Sequence, residues 1–387
     1  MVIGLLGFGT VGGGVYELLN HRKDITKDIT VKYVLDRYIH DEISAVSTTD
    51  FNDIINDDEV DTVVELMGGI HPAYEYVTAA LEKGKNVITA NKHLISKYYD
   101  ELTKKAMESN VALRYTAAVG GGIPWLVNLR RARRLSTIYE ITGIFNGTTN
   151  FILDAMHTKG ADFSVVLKEA QELGFAEANP SSDIDGLDVQ RKIIISANIA
   201  FGAVFKKQDV NVFGVRNVTA EDIKTFEDKN LICKLIASAY NKNGKYSVFA
   251  EPTLVCNNSL EASVHESYNF ITFDGEYVGR ESFYGHGAGR YPTAYTVAQD
   301  CIDVSAAEND FALNSFTDCT PDNSAISHCY YVRTSKPTEW LNSVTEEVWG
   351  KGVKTKPVPV SQMFEEMSKI LENDQTAFMA AVKEEQN

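Results

Sequence analysis

The stretch from Ala176 to Lys192, AEANPSSDIDGLDVQRK, contains the residue types that acid–base chemistry and the binding of charged substrates use. Asp188 and Lys192 are four residues apart, so on a helix they share a face and can form a pair. Further carboxylates lie upstream, at Glu177, Asp183 and Asp185. Charges this dense before an apolar run suggest a functional site.

A buried helix is predicted to carry this pair. The apolar run 193–205 predicts a helix that begins near Gly186, because apolar residues recur on nearly every face. Upstream, residues 179–182 (NPSS) predict a turn that brings Glu177 and Asp183 back toward the helix start. An acidic loop that only caps a helix is the alternative, and for Asp183 and Asp185 capping competes directly with substrate contact.

Composition limits the classes of function. The 387 residues suggest two or three domains, and 44% hydrophobic with 23% charged residues is typical of a globular protein. A net charge of −16 argues against nucleic acid as a partner, because phosphate binding requires clustered cations. The basic cluster at 130–134 (RRARR) is short and is interpreted as a local patch.

Cysteine usage and the amino terminus favour a reduced, cytoplasmic protein. The five cysteines form no CxxC pair, so neither a disulfide framework nor a zinc site is supported. The first residues, MVIGLLGFG, lack the basic region of a signal peptide, and no apolar run reaches membrane-spanning length. We therefore expect a cytoplasmic, soluble protein with no membrane partner.

The amino terminus predicts a dinucleotide site. An apolar strand, Val2–Leu6, leads directly into a GxGxxG sequence and then into a helix, which is the context that this fingerprint requires. Its glycines permit a tight turn and close approach of backbone N–H groups to a pyrophosphate. The fingerprint residues are Gly7, Phe8, Gly9, Thr10, Val11 and Gly12.

Two neighbouring residues argue in opposite directions about the cofactor. Asp36, at the end of the second predicted strand, suits the ribose hydroxyls of NAD. Arg37 beside it suits the 2′-phosphate of NADP. The choice between NAD and NADP stays open.

The order of predicted elements indicates an α/β protein with a Rossmann-type, doubly wound parallel sheet. Its strands are predicted at residues 2–6, 31–35, 62–66, 86–89 and 112–116, with helices between them at 72–83 and 98–109. Beyond about residue 120, strands rich in β-branched and aromatic residues indicate a second, α+β domain for substrate binding and dimerisation. These strands are predicted at 138–145, 247–255, 263–273 and 276–283.

We therefore expect a dinucleotide-binding domain at 1–118, completed by about 288–322, and a catalytic domain at 119–287. A short C-terminal α/β unit is predicted at 323–387. It has a strand at 329–333 and helices at 338–349 and 361–372, and no second strand is evident in its sequence.

Six motifs, in this order, resemble those of homoserine dehydrogenases. Together they cover roughly residues 1 to 305, and all six together are far more specific than any one of them. They are GLLGFGTVG (4–12), NVITANKHLIS (86–96), AAVGGGIPW (117–125), GIFNGTTNFIL (143–153), LGFAEANPSSDIDGLDVQRK (173–192) and GHGAGRYPTA (285–294).

The resemblance implies an enzyme that interconverts L-aspartate 4-semialdehyde and L-homoserine with NAD(P)H. In this family's pattern Lys192 is the general acid, Asp188 orients it, and Lys92 supplies positive charge near the reacting oxygen. Substrate binding is implied for Glu177, Asp183, Asn146, Gly147 and Thr148, although residues 146–150 (NGTTN) also suit a turn. Arg37, Asn91, Lys92 and Gly287 join the fingerprint in binding cofactor.

The resemblance also raises a metal site, a dimer and a regulatory module. Family members commonly bind a monovalent cation such as Na⁺ through a glutamate and three loop carbonyls, here at Val119, Gly121 and Ile123. Thr116 stands in place of the glutamate, so we expect a weakened or absent site. The resemblance implies a homodimer or a larger homo-oligomer. The C-terminal unit is either a degenerate ACT-like module or a structural tail.

Two rival functions are weighed against this one. The first is another nucleotide-dependent dehydrogenase that acts on a small polar aldehyde. The second is a catalytically silent nucleotide sensor or scaffold, which predicts loss of the pair in the acidic stretch. Since Asp188 and Lys192 are both present, the sequence disfavours the second rival.

Overall fold

The computed structural model describes residues 1–307, 319 and 321–383. The chain divides into two compact units. The first contains residues 1–131, 198–204 and the described part of 285–317, and the second contains 132–197, 205–284 and the described part of 318–387. The first unit thus extends past the predicted boundary at 118. Of the predicted completion at 288–322, residues 308–318 and 320 lie outside the described residues, as do the last four of the C-terminal unit.

Helices occur in both units, and three short 3₁₀ helices lie at Asp41–Ile43, Thr116–Ala118 and Lys207–Asp209. Among the described residues, no helix has the length and apolar character needed to cross a membrane. The α-helices are α1 (Thr10–His21), α2 (Asn52–Ile55), α3 (Ala73–Glu82), α4 (Lys92–Glu108), α5 (Trp125–Arg133), α6 (Gly147–Lys159), α7 (Phe163–Glu172), α8 (Ser181–Ile184), α9 (Leu187–Phe201), α10 (Ala220–Glu227), α11 (Arg290–Ser305), α12 (Glu339–Val344) and α13 (Val360–Asn373).

The strands form one parallel and one mixed sheet. The parallel sheet of the first unit contains β1 (Val2–Leu6), β2 (Thr30–Leu35), β3 (Ser47–Thr48), β4 (Thr62–Glu65), β5 (Asn86–Thr89) and β6 (Leu113–Arg114). The mixed sheet of the second unit contains β7 (Ile138–Ile144), β8 (Asn211–Val212), β9 (Leu231–Lys242), β10 (Lys245–Cys256), β11 (Tyr268–Gly275), β12 (Gly279–His286), β13 (Ser327–Arg333), β14 (Thr345–Trp349), β15 (Gly352–Thr355), β16 (Val358–Pro359) and β17 (Phe378–Val382).

The parallel sheet confirms the predicted α/β, doubly wound fold. Its order is β3-β2-β1-β4-β5-β6, so the strand order reverses at β1, between β2 and β4. Ligands of such sheets bind at the carboxyl ends of the strands beside this reversal. The fingerprint loop follows β1 and therefore lies at that position. A Cβ on Gly12 would overlap the Gly7 carbonyl oxygen, which explains why glycine closes this turn.

The second unit has a longer sheet than the sequence predicts. Its order is β12-β11-β7-β9-β10-β17-β13-β15-β14, with β8 beside β10 and β16 beside β13. Strand β9 is not predicted from the sequence, because residues 233–239 (CKLIASA) are buried on both faces of the sheet and show no regular alternation of apolar and polar residues. A twelve-residue antiparallel ladder between β9 and β10 forms the middle of this sheet.

The C-terminal unit folds as a βαββαβ arrangement with the strand order β17-β13-β15-β14, the ferredoxin-like order. The predicted helix over 338–349 is wrong in its second half, and the apparent lack of a second strand is also wrong. Helix α12 ends at Val344, and residues 345–349 pair with β15 across a turn at Gly350, where φ is +56°. Pairing with a neighbouring strand, which local sequence does not reveal, overrides the helical pattern here.

This unit is joined to the rest of the second unit by backbone pairing and by a buried ion pair. Strand β17 pairs in parallel with β10, so the strands of the C-terminal unit continue the mixed sheet of the second unit. The Arg333 Nε donates to both carboxylate oxygens of Asp222, at 2.8 and 3.0 Å, and Asp222 is 1% exposed. The Tyr331 hydroxyl donates to the same carboxylate at 2.7 Å. Asp222 also completes the capping box of α10.

We expect Arg333→Ala to lower the free energy of unfolding by about 3–5 kcal/mol, because it leaves the buried Asp222 carboxylate without its cation. Denaturant unfolding followed by circular dichroism measures this change. Lys369→Ala is the matched control, since Lys369 pairs with Glu365 on the exposed face of α13 and its loss should change the free energy of unfolding far less. Equal effects of the two substitutions would contradict the assignment of Arg333 as a buried anchor.

Candidate functional site

A buried lysine–carboxylate pair is the centre of the polar cluster in the second unit. Lys192 and Asp188 lie one turn apart on α9, with 2.8 Å between Lys192 Nζ and Asp188 Oδ2. Their side chains are only 8% and 5% exposed. Lys192 Nζ also donates to the Phe145 carbonyl oxygen at 2.6 Å. The predicted pairing of the two residues is therefore present, and the ammonium is fixed at a defined position.

Asn146 joins the predicted residues of this cluster. Its Nδ2 donates to Asp188 Oδ2 at 2.8 Å and to Asp183 Oδ1 at 2.7 Å. Its Oδ1 accepts from the Thr149 N–H at 2.8 Å and so caps α6. The loop after β7, the short helix α8 and the start of α9 thereby meet at one side chain. The structure brings together Asn146, Asp183, Asp188 and Lys192.

Gly147 and Thr148 have structural contacts of their own. A Cβ on Gly147 would overlap the Ser267 carbonyl oxygen, so close backbone packing requires glycine here. The Thr148 hydroxyl donates to the Phe175 carbonyl at 2.7 Å and is 9% exposed. Thr148 therefore tethers the segment that precedes Glu177.

The two remaining acidic residues of the stretch differ in their surroundings. Glu177 is exposed, in the turn between α7 and α8. Asp185 forms a two-point contact with Arg216, with Nε and Nη2 each 2.8 Å from a carboxylate oxygen. Asp185 therefore pairs with Arg216 at the surface, a contact that neither capping nor substrate binding predicts, whereas Glu177 is exposed.

In the first unit, the fingerprint loop adjoins a cavity of about 820 Å³. Phe8, Gly9 and Thr10 line one side of it, and His40 lies among the other lining residues. A Cβ on Gly9 would meet no atom within 4 Å, so the space over this backbone is open. An open glycine backbone at a helix N-terminus is what pyrophosphate binding requires. The residues present therefore fit a dinucleotide.

A buried glutamate that the sequence analysis missed orders the neighbouring loops. Glu65 ends β4 and is fully buried, and burial raises its pKa. Its carboxylate accepts from the Met67 N–H at 2.9 Å and from the Thr89 hydroxyl at 2.7 Å. The available signal was a charged residue at the end of the apolar strand 62–65 (TVVE), three residues before the glycine pair at 68–69.

Asn91 and Lys92 follow β5 at the start of α4. The Asn91 Oδ1 caps this helix by accepting from the Leu94 N–H at 3.1 Å, and its Nδ2 donates to the Gly69 carbonyl at 2.7 Å. Asn91 thus holds together the loops after β4 and β5. Lys92 is the first residue of α4 and is half-buried.

The loop predicted as a cation site is hydrogen-bonded to α11. The Thr116 hydroxyl donates to Asp300 Oδ1 at 2.7 Å, and the Gly121 carbonyl accepts from the Thr296 hydroxyl at 2.7 Å. A Cβ on Gly121 would lie 2.6 Å from the Gly287 carbonyl carbon, so the two glycine-rich loops touch. Burial raises the Asp300 pKa to about 6, against the opposing effects of Thr116 and Arg114.

Sequence comparisons identify close relatives. The family model described as "Homoserine dehydrogenase, NAD binding domain" matches residues 7–116, and the model described as "Homoserine dehydrogenase" matches residues 124–302. A homoserine dehydrogenase of Synechocystis sp. is 40% identical over 334 residues, which cover 82% of this chain and 77% of that protein.

Solved structures agree with these matches. The crystal structure of a homoserine dehydrogenase from Thiobacillus denitrificans is similar with a TM-score of 0.88 at 32% identity, covering 99% of this chain and 98% of that one. A hyperthermophilic archaeal homoserine dehydrogenase in complex with NADPH has a TM-score of 0.69 at 25% identity, covering 79% of this chain and 98% of that one.

We expect Asp300→Asn to change how stability depends on pH. The pKa of Asp300 is raised from 3.8 to about 6 in the folded state, so the stability that the carboxyl contributes is complete below pH 4 and is lost as the pH rises through 6. Between pH 4.5 and 7.5 the variant should therefore gain about 2 kcal/mol relative to the unsubstituted protein. Urea unfolding at the two pH values measures this, and a difference independent of pH would contradict it.

Proposed function

This chain belongs to the homoserine dehydrogenase family, and on that premise we propose which of its residues perform each step of the family's reaction. The protein is an NAD(P)-dependent oxidoreductase that interconverts L-aspartate 4-semialdehyde and L-homoserine. The observation that supports the proposed roles most strongly is the buried Lys192 ammonium, fixed by Asp188 and the Phe145 carbonyl.

The fingerprint loop holds the dinucleotide. Gly7, Gly9 and Gly12 shape the turn, and the backbone N–H groups at the start of α1 would hold the pyrophosphate. When bound, NADPH or NADH supplies the hydride that reduces the aldehyde. Arg37 would contact a 2′-phosphate, while Asn91 orders the loops after β4 and β5 that complete the cofactor site.

Lys192 is the proton donor in the direction of reduction. As hydride adds to the aldehyde carbon, negative charge develops on the carbonyl oxygen, and Lys192 Nζ transfers a proton to that oxygen. Asp188 and the Phe145 carbonyl orient the ammonium. When homoserine is oxidised, the neutral Lys192 amine accepts the proton of the substrate hydroxyl and becomes the ammonium again. Lys92 contributes positive charge that stabilises the developing alkoxide.

The acidic residues bind the amino group of the substrate. Glu177 accepts the substrate ammonium, which suits a carboxylate in an exposed turn. Asp183 assists at the same end, with its orientation fixed by the Asn146 amide at 2.7 Å. Thr148 tethers the Glu177 segment, and Gly147 permits the backbone packing that positions Asn146.

The purified protein, mixed with L-aspartate 4-semialdehyde and NADPH or NADH, should oxidise the nucleotide and form homoserine. Absorbance at the nicotinamide band follows the reaction, and product analysis identifies homoserine. Turnover of other small polar aldehydes, without turnover of aspartate semialdehyde at millimolar concentration, would favour a different dehydrogenase.

Lys192→Ala should lower kcat by about 10²–10⁴ with a modest change in KM, because the lysine acts mainly in the transition state. Lys192→Gln keeps a hydrogen-bond donor but cannot supply a proton, so it should lose activity while remaining folded by circular dichroism. Lys168→Ala, which removes an exposed lysine of α7, is the control. A rise in KM at constant kcat would instead make Lys192 a binding residue.

Glu177→Ala should raise the KM for the amino-acid substrate about tenfold or more with little change in kcat, because the ammonium contact exists in both ground and transition states. Steady-state kinetics with homoserine as the varied substrate measure this. Glu172→Ala, at an exposed position in the last turn of α7, should leave both constants unchanged. If KM is unchanged in Glu177→Ala, Glu177 lies outside the site.

We further propose that a monovalent cation such as Na⁺ binds weakly or not at all. The carbonyls of Val119, Gly121 and Ile123 remain possible ligands, but Thr116 supplies a neutral hydroxyl in place of a carboxylate. Activity should therefore be equal in chloride salts of sodium, potassium and tetramethylammonium at one ionic strength. An ordered Na⁺ on these carbonyls with Na⁺-dependent activity would overturn this.

The proposal has three further parts. The protein is cytoplasmic, it forms a homodimer or a larger homo-oligomer, and its C-terminal unit is an ACT-like module. The ferredoxin-like strand order of the C-terminal unit favours the ACT-like interpretation over a structural tail. Sedimentation velocity should give a species larger than 42.8 kDa, the mass of one chain. A monomer at micromolar concentration would contradict the proposed dimer.

A further inference from the structure

We propose that His40 sets the preference of this enzyme between NADP(H) and NAD(H), and that protonation of His40 shifts the preference toward NADP(H). The inference rests on the nucleotide site proposed above. It concerns a residue that neither the glycine fingerprint nor the family motifs contain.

His40 holds the carboxylate that would recognise the ribose. Its Nε2 lies 3.0 Å from Asp36 Oδ2, and the same oxygen accepts from the Phe8 N–H at 3.0 Å. Asp36 Oδ1 accepts from the Arg37 N–H at 2.7 Å. The Asp36 carboxylate therefore bridges the fingerprint loop and His40. Although burial raises the pKa of Asp36, the hydrogen bonds from Arg37, His40 and Phe8 outweigh it and lower the pKa, so Asp36 is ionised.

The charge at the end of β2 decides which ribose is accepted. A free carboxylate there accepts hydrogen bonds from the 2′-hydroxyl of NAD and repels the 2′-phosphate of NADP. With neutral His40, Asp36 keeps its full negative charge. With protonated His40, the pair has no net charge, and the adjacent, exposed Arg37 is then free of its competing anion. Protonation thus removes the main obstacle to a 2′-phosphate.

Each ring nitrogen of His40 faces a carboxylate. Neutral His40 donates from Nε2 to Asp36, which leaves Nδ1 as an acceptor. After protonation Nδ1 also donates, and Glu42 Oε1 lies 3.8 Å away. Histidine is the side chain that changes charge between pH 5 and 8. The ring therefore keeps its contact with Asp36 in both protonation states.

Other groups of the same cavity act less directly. Glu17 and Arg290 pair with each other at 3.1 Å, and His21 is exposed at the end of α1. The rings that touch His40 are uncharged: its centroid lies 4.8 Å from that of Phe8 and 4.7 Å from that of Tyr38. Contact with Phe8, a fingerprint residue, keeps His40 against the loop that binds the cofactor.

The experiment measures dissociation constants of NADPH and NADH by nucleotide fluorescence, without substrate, from pH 6.0 to 8.5. The compared proteins are the unsubstituted chain, His40→Gln and His265→Gln. His265 is the matched control, because it is an exposed histidine with its Nδ1 2.8 Å from a carboxylate oxygen of Asp154, in the second unit and outside the proposed nucleotide site. The 2′-phosphate itself titrates near pH 6. That contribution is common to all three proteins, so the difference between them isolates His40.

When the pH falls from 8.5 to 6.0, the ratio of the NADH to the NADPH dissociation constant should rise in the unsubstituted protein. The factor of this rise should be at least about five times larger than in His40→Gln. This corresponds to about 1 kcal/mol of coupling between the two charges. His265→Gln should match the unsubstituted protein. Asp36→Asn should bind NADPH in preference to NADH at every pH, and it should lose the part of the pH dependence that His40 causes. Equal pH dependence with and without His40 overturns the inference and leaves the proposed function intact, whereas failure of either nucleotide to bind overturns both.

Discussion

A lysine ammonium that is almost completely buried must have fixed acceptors, and this requirement organises the second unit. Lys192 and Asp188 are both removed from water, which costs more than their mutual attraction returns unless further hydrogen bonds satisfy them. The Phe145 carbonyl supplies one acceptor for the ammonium, and the Asn146 amide supplies one donor to the carboxylate. Both come from the loop after β7, so the strand, the following helix and α9 must keep one arrangement.

The same requirement explains why the acidic stretch contains residues with different roles. Asp188 is neutralised by a lysine, and Asp185 by Arg216 at the surface. Asp183 shares the amide of Asn146 with Asp188 and lies at the border of the cluster. Glu177 faces solvent. A substrate ammonium placed among these carboxylates would complete the balance of charge, which is why the proposed binding end lies beside Asp183 and Glu177.

The parts of the site that follow local rules could be predicted from the sequence. The fingerprint depends on a strand, a glycine turn and a helix in direct succession, and the Asp188–Lys192 pair depends on one helical turn. Contacts over long separations left no local signal. Asn146 meets Asp188 across 42 residues, and Thr116 meets Asp300 across 184. Strand β14 was predicted as helix for a different reason, because its residues follow a helical pattern until they pair with the adjacent β15 across the turn at Gly350.

Both units use an asparagine at a helix N-cap to join two neighbouring segments. Asn91 caps α4 and binds the Gly69 carbonyl, while Asn146 caps α6 and binds Asp183 and Asp188. Serine or aspartate would cap equally well, but aspartate has no donor and serine has only one hydroxyl for both tasks. An amide alone accepts from the helix through its oxygen and donates to a second segment through its nitrogen. In Asn146 this second function is electrostatic, since aspartate there would place a third carboxylate beside two others and remove the donor that holds them.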